Sequence, residues 1–310
     1  MVLAAWAWAT AGVLLMAFQP HLGVWAVGSY LLAGVSAYTA LRRRTNAGEG
    51  VTGAGCPIWL PILVYFGMIM AVRLPLYRLT GRLWDKVPML SIALFAALVA
   101  EGEAAASLGL RARRFWGHVF LGLTGWGFIW LVVAGQRAAW AAALGRLTAP
   151  QLIIRAAATL PLTFPLLLLG NFAEELFFRG YVLTRLRTGY GLTVAMLGQA
   201  LLFGLYHINY NLFPPDFIRM GLYVLFTFAF GLAAAYLYLA SGSLIAPTIA
   251  HVLYNQTIPG RLFALEFPQA GTGASLSLLV LLRLLEIGLY VFVLSRLAHV
   301  LGARLRLRED

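Results

Sequence analysis

Runs of apolar residues close to bilayer length recur along this chain, and they constrain its fold more than any other feature. They fall at about Val2–Phe18, Leu22–Leu41, Pro57–Val72, Val87–Ala106, Phe115–Gly135, Leu152–Leu183, Leu192–His207, Met220–Ala240, Leu244–Ile258 and Leu276–Val300. A helix of about 20 apolar residues crosses the hydrocarbon core. Within that core every backbone N–H and C=O needs an internal partner, which restricts spanning chains to helices and closed barrels. The runs are continuous and lack the period-2 alternation of lipid-facing strands, so a porin-like barrel is excluded. A composition of 61% hydrophobic and 11% charged residues, with mean hydropathy +0.83, lies outside the range of ordinary soluble domains. The expected fold is all-α, a polytopic transmembrane helix bundle of about 8–10 spans with a hydrated polar cavity. Val2–Phe18 lacks a basic segment before it and reads as a first span rather than a cleaved signal peptide.

The net charge of +12 does not indicate nucleic acid, because the arginines sit at the ends of the apolar runs. Arg42, Arg43 and Arg44 close one run, Arg111, Arg113 and Arg114 precede another, and Arg304, Arg306 and Arg308 follow the last. The positive-inside rule produces this distribution. With Arg185 and Arg187 it places both termini in the cytoplasm, and it puts the acidic pair discussed below near the cytoplasmic end of its helix. One loop conflicts: Arg73, Arg78, Arg82 and Lys86 would lie outside. An interfacial amphipathic helix or a re-entrant third segment would resolve the conflict. Cys56 is the single cysteine, which excludes an intrachain disulfide and a CxxC metal site. Richness in Ala, Leu, Gly and Arg points to a bacterial plasma membrane as the location.

Ionisable groups inside a bilayer are costly, roughly 2.5–3.5 kcal/mol at a helix centre on insertion scales, and mark functional sites by default. Of eleven acidic residues, Glu101 and Glu103 lie near a basic loop, and Glu286 has Arg283 three residues earlier on one helical face. Glu174 and Glu175, in Asn171–Gly180, have no such explanation. Glu175 and Arg179 are four apart and share a face, so an ion pair is expected. Glu174 points about 100° away and stays available for chemistry. The alternative is that all three charges merely join this helix to a neighbour. His21, His118 and His299 lie near run ends and read as interfacial. His207, with Phe203 one turn before it, and His251, with Asn255 one turn after it, each fit a packing role taken singly. Taken with Glu174 they supply a base for water, a proton carrier and oxyanion donors, the requirement for hydrolysis. Pro247 and Pro259 are expected to distort the helix that carries His251, leaving the polar set facing a hydrated cavity.

Glu174-Glu175-x3-Arg179, Phe203-x3-His207 and His251-x3-Asn255 resemble, in order and spacing, the motifs of the CPBP intramembrane proteases. That family includes the type II CAAX prenyl endopeptidases and bacteriocin-processing or immunity-linked relatives. The flanks FRGYVL, FGLYH and SLIAPTIAHVLYN agree, and Ser107-Leu108-Gly109-Leu110-Arg111 resembles the start of the family's region. The resemblance covers Ser107 to about Pro259. It implies a catalytic core over 107–260; outside the resemblance, 1–106 read as an N-terminal transmembrane scaffold and 261–310 as a C-terminal transmembrane helix with a basic tail. It further implies that Glu174 and His207 activate the attacking water, that His251 and Asn255 stabilise the oxyanion, and that Glu175 and Arg179 hold the helix of Glu174.

The expected function is therefore an intramembrane endopeptidase acting on a membrane-associated peptide or protein, of CAAX type or of leader or bacteriocin type. The competing readings are a non-catalytic membrane scaffold or bacteriocin-immunity protein using the same cavity, and an ion-coupled transporter. The transporter reading lacks the inverted repeat and paired broken helices such proteins show. Members of the family are often termed metalloproteases, and Glu174, His207 and His251 would hold Zn²⁺ with an open position for water. Nothing resembles HExxH, and metal-free Glu/His chemistry is the preferred reading, with a divalent metal such as Zn²⁺ as the alternative. The expected partners are the substrate and the bilayer, with no nucleic acid.

Overall fold

Helices build nearly every described part of the chain, shown here in a computed structural model that describes residues 2–18, 58–81, 83, 85–94, 105–110, 113–143, 167–257, 273–296 and 299–300. Helix α1 spans Val2–Phe18, α2 Trp59–Thr80, α3 Lys86–Leu94 and α4 Phe115–Ala143. Helices α5 and α6 cover residues 167–190 and 192–206. They are followed by α7, Phe217–Ser241, α8, Ile245–Gln256, and α9, Gly273–Leu289, which runs on as a π-helix over Tyr290–Leu294. Among the described residues the only β-type pairing is an isolated bridge between Leu212 and Pro215. Trp59–Thr80, Phe115–Gly135, Leu167–Tyr206 and Phe217–Ser241 are long and apolar enough to cross a bilayer. The chain is an all-α polytopic integral membrane protein. The expected run Leu22–Leu41, the first part of Leu152–Leu183, and Cys56, Glu101, Glu103, His21 and Pro259 lie outside the described residues.

Three boundaries depart from the hydropathy pattern or refine it. The separation of the sixth and seventh runs is a break at Gly191, whose φ of 81° and ψ of 175° belong to a region essentially reserved for glycine. Helix α2 does not stop at Val72 but continues to Thr80, where Gly81 ends it in a left-handed conformation. It continues because Arg73 is drawn inward, to a side-chain partner described below, rather than out to solvent. Pro247, expected to distort its helix, stands third in α8. The first four N–H groups of a helix have no intrahelical acceptor, so a proline there removes no bond and α8 is regular.

The contacts divide the chain into two compact units, Met1–Leu110 with Ala173–Leu202 and Arg111–Phe172 with Phe203–Asp310. In the first unit, α1 packs on α2 and α3 through a cluster of Val13, Val72 and Leu76 flanked by Trp6 and Val87. A 3₁₀ turn at Ala105–Leu108 packs against α5 at Gly180. A Cβ on Gly180 would stand 2.9 Å from the Leu108 carbonyl oxygen, so only glycine permits that approach. Val194, Leu197 and Leu201 form an exposed stripe along α6 at the 3–4-residue spacing of one helical face, as a lipid-facing surface requires.

In the second unit α4 and α8 make the most extensive helix contact. Leu121 of α4, Leu237 and Ala240 of α7, and Ala246 and Ala250 of α8 form a core there, with Trp126 against them. Gly122 lets the backbones meet, since a Cβ there would be 2.7 Å from the Ala246 carbonyl oxygen. Small residues at such crossings are the usual device of membrane helices. Trp126 and Trp130 donate from Nε1 to the Thr257 hydroxyl at 3.0 Å and carbonyl at 2.8 Å, fixing the end of α8. Ser241-Gly242-Ser243 makes the tight connection expected between α7 and α8, with Gly242 at φ 62° and its N–H on the Tyr238 carbonyl at 2.7 Å. Arg283 and Glu286 form the expected i,i+3 pair, and Tyr290 donates its hydroxyl proton to Glu286 at 2.8 Å.

Candidate functional site

The acidic motif lies in the first unit, on α5. Residues 167–175 are α-helical, and Leu176–Leu183 form a π-helix. Stretches of this type are frequent at functional sites. Thr184 closes the segment by donating its hydroxyl to the carbonyls of Gly180 and Tyr181. Leu176 through Leu183 are all buried, so this part of the helix is surrounded by protein. The expected ion pair is present: Arg179 Nη1 donates to Glu175 Oε1 at 3.1 Å, and both side chains are 0% exposed. Glu175 keeps ordinary helical angles, φ −62° and ψ −40°, so Glu174 projects from α5 in a direction of its own.

Glu174 is 4% exposed, and its Oε1 accepts from Lys86 Nζ at the start of α3. The residue before Lys86 is also a buried ion. Arg73 Nη1 donates to both oxygens of Asp85 at 2.9 Å, with both side chains 0% exposed. Arg73 and Lys86 are thus interior counter-charges rather than loop charges, while Arg78 is exposed. This removes two of the four residues from the loop that conflicted with the positive-inside rule. Lys86 was missed as a site residue, and that conflict was the available signal.

The imidazole motifs lie in the second unit. His207 follows the end of α6 and is 8% exposed. Its Nδ1 is 2.8 Å from the Phe203 carbonyl oxygen. A carbonyl only accepts, so Nδ1 carries the proton, and in neutral His207 Nε2 carries the lone pair. Phe203, Tyr206, Tyr210 and Tyr223 surround the ring at centroid distances of 4.7, 5.0, 6.1 and 6.1 Å. His251 on α8 is 4% exposed and lies 5.9 Å from Phe203 and 4.8 Å from Phe230. Phe203 therefore touches both imidazoles. Asn255, one turn along α8, donates from Nδ2 to Asn171 Oδ1 at 3.1 Å. Asn171 is 4% exposed and stands three residues before Glu174 in the sequence. It is a second residue that the motif spacing does not reveal, although it opens the acidic stretch.

His118 Nε2 is 3.0 Å from the Arg113 carbonyl oxygen at the start of α4, and His299 is exposed. Among the described residues no three His, Cys, Asp or Glu side chains are grouped so as to hold a metal ion.

Residues 156–257 match the family model described as type II CAAX prenyl endopeptidase Rce1-like. The match includes all three motifs, from Glu174 to Asn255. No curated protein and no solved structure matches the chain.

Proposed function

We propose that the chain, whose residues 156–257 match the Rce1-like family model, is a CAAX-type intramembrane endopeptidase of the CPBP family that uses Glu174 as the base for water. The observation that carries the reading is the family match over all three motifs, whose acidic and imidazole residues are buried in protein. Such groups persist there only when charge or hydrogen bonding compensates them, and a function is the usual reason for keeping them in a membrane.

The reaction is hydrolysis of a peptide bond near the membrane. Glu174, assisted by His207, takes a proton from water as the water oxygen attacks the carbonyl carbon. The carbonyl oxygen becomes an oxyanion, and the side chains of His251 and Asn255 donate to it. Collapse of the intermediate breaks the C–N bond, and the proton passes to the departing amine. Asn171 holds one amide proton of Asn255, which fixes where the second one points. Glu175 and Arg179 compensate each other and keep the helix of Glu174 in register. A CAAX-type tail suits this chemistry, because its scissile bond sits at the membrane next to the anchored cysteine.

The test is turnover of a fluorogenic prenylated CAAX peptide and, in parallel, an unprenylated membrane-anchored reporter, using purified protein in nanodiscs. Glu174→Gln is expected to abolish cleavage in protein that still folds and unfolds cooperatively. Full activity of that variant would overturn the assignment. Cleavage of the anchored reporter alone would move the substrate class from CAAX to leader type.

A further inference from the structure

We infer that Lys86 is a positioning residue for Glu174: its ammonium fixes one carboxylate oxygen of the proposed base and supplies the counter-charge that lets the other oxygen act on water. The inference rests on the endopeptidase reading for its catalytic consequence, but the contact itself does not. Lys86 Nζ meets Glu174 Oε1 across 88 positions of sequence, with the two side chains 19% and 5% exposed. It is therefore not one of the solvent-exposed pairs that contribute little.

The backbone that presents Lys86 is itself fixed. Asp85, immediately before it, takes both hydrogen bonds from Arg73 on α2. The Asp85 carbonyl accepts from the Met89 N–H at 2.9 Å, which opens α3 at that point. A chain of contacts thus runs from α2 through Asp85 and Lys86 to α5. The buried charges on these elements are Arg73 and Arg179 against Asp85, Glu174 and Glu175, and Lys86 brings the balance to three of each sign. Removing Lys86 would leave one buried negative charge in excess, next to the group proposed to react. An ionised carboxylate accepts on both oxygens, so an ammonium on Oε1 leaves Oε2 with a defined direction. A lysine suits the position because it is a compact point charge on a flexible stem.

A merely structural lysine and a positioning one differ in what they move. Lys86→Met is expected to lower kcat on the CAAX reporter about 10²-fold, the scale set by small misplacements of a reacting group, with KM little changed. Lys86→Arg is expected to recover most of that loss. If Lys86→Met folds too poorly to assay, the double variant Lys86→Met, Glu174→Gln leaves no unpaired charge and is expected to unfold later than Lys86→Met alone, measured with SDS in mixed micelles. This second readout needs no activity. Additive effects of the two substitutions on unfolding would overturn the inference whatever the reporter shows, as would wild-type kcat for Lys86→Met in protein whose Glu174→Gln form is inactive. Activity in Glu174→Gln protein would instead overturn the endopeptidase mechanism, leaving the unfolding cycle to decide the contact.

Discussion

The ion pair inside α5 gives the clearest quantitative prediction, because both partners are 0% exposed and 3.1 Å apart. Two unit charges at that separation attract by about 5 kcal/mol at an effective dielectric constant of about 20. Arg179→Met removes this attraction and deprives the buried Glu175 of its counter-charge on α5. Breaking a buried pair in this way costs about 3–5 kcal/mol. The double variant Glu175→Gln, Arg179→Met removes both charges and is expected to be more stable than Arg179→Met, because a neutral pair carries no uncompensated charge. The coupling should therefore be about 2 kcal/mol or more, well above the few tenths expected of independent sites. The assay is equilibrium unfolding of wild type, both single variants and the double variant across an SDS mole-fraction series, read by intrinsic fluorescence. The same four proteins are assayed for turnover, where the double variant is expected to keep measurable activity and Glu174→Gln none. A loss below about 1 kcal/mol for Arg179→Met, the range of an exposed pair, would refute the counter-charge argument. Equal inactivation by the double variant and by Glu174→Gln would refute the division of roles between the two glutamates.

Gly180→Ala places a Cβ 2.9 Å from the Leu108 carbonyl oxygen, and since neither backbone yields easily it is expected to destabilise the protein by about 1–3 kcal/mol. The same SDS series checks this, with the exposed Gly221, which has open space around its Cβ position, as the control. Treatment with a strong chelator is expected to leave reporter cleavage unchanged, checked alongside metal analysis of the treated protein. Loss of cleavage that Zn²⁺ alone restores would overturn the metal-free mechanism.

What the sequence revealed follows the range of the interaction concerned. The Glu175–Arg179 pair was legible because four-residue spacing brings the two onto one helical face with no help from the rest of the fold. Arg283 and Glu286 were legible for the same reason, and the break at Gly191 showed as a gap between two apolar runs. The π-helical stretch was not legible, because its wider hydrogen-bonding step leaves no periodic mark in eight largely apolar residues. The effect of Pro247 was misread because it depends on where the helix starts, and a proline in the first turn costs no bond. Likewise the end of α2 was placed at the first arginine, although Arg73 has its compensating carboxylate twelve residues on, a distance no local hydropathy average can use.

The loop that violated the charge rule carried more information than its resolution as a topological exception suggested. The positive-inside rule concerns charges left in water beside the membrane, so it makes no demand on an arginine or lysine whose charge is compensated within the fold. An acidic group buried in a membrane protein, for its part, requires a nearby cation or a proton. Glu174 had no cation at helical spacing, since Arg179 is taken by Glu175, while Lys86 was a cation on the wrong side of the charge count. The two anomalies answer each other: each removes the other's electrostatic cost, and they meet in one contact. A basic residue that breaks the charge rule, in a chain with an uncompensated intramembrane carboxylate, is thus the first place to look for that carboxylate's partner.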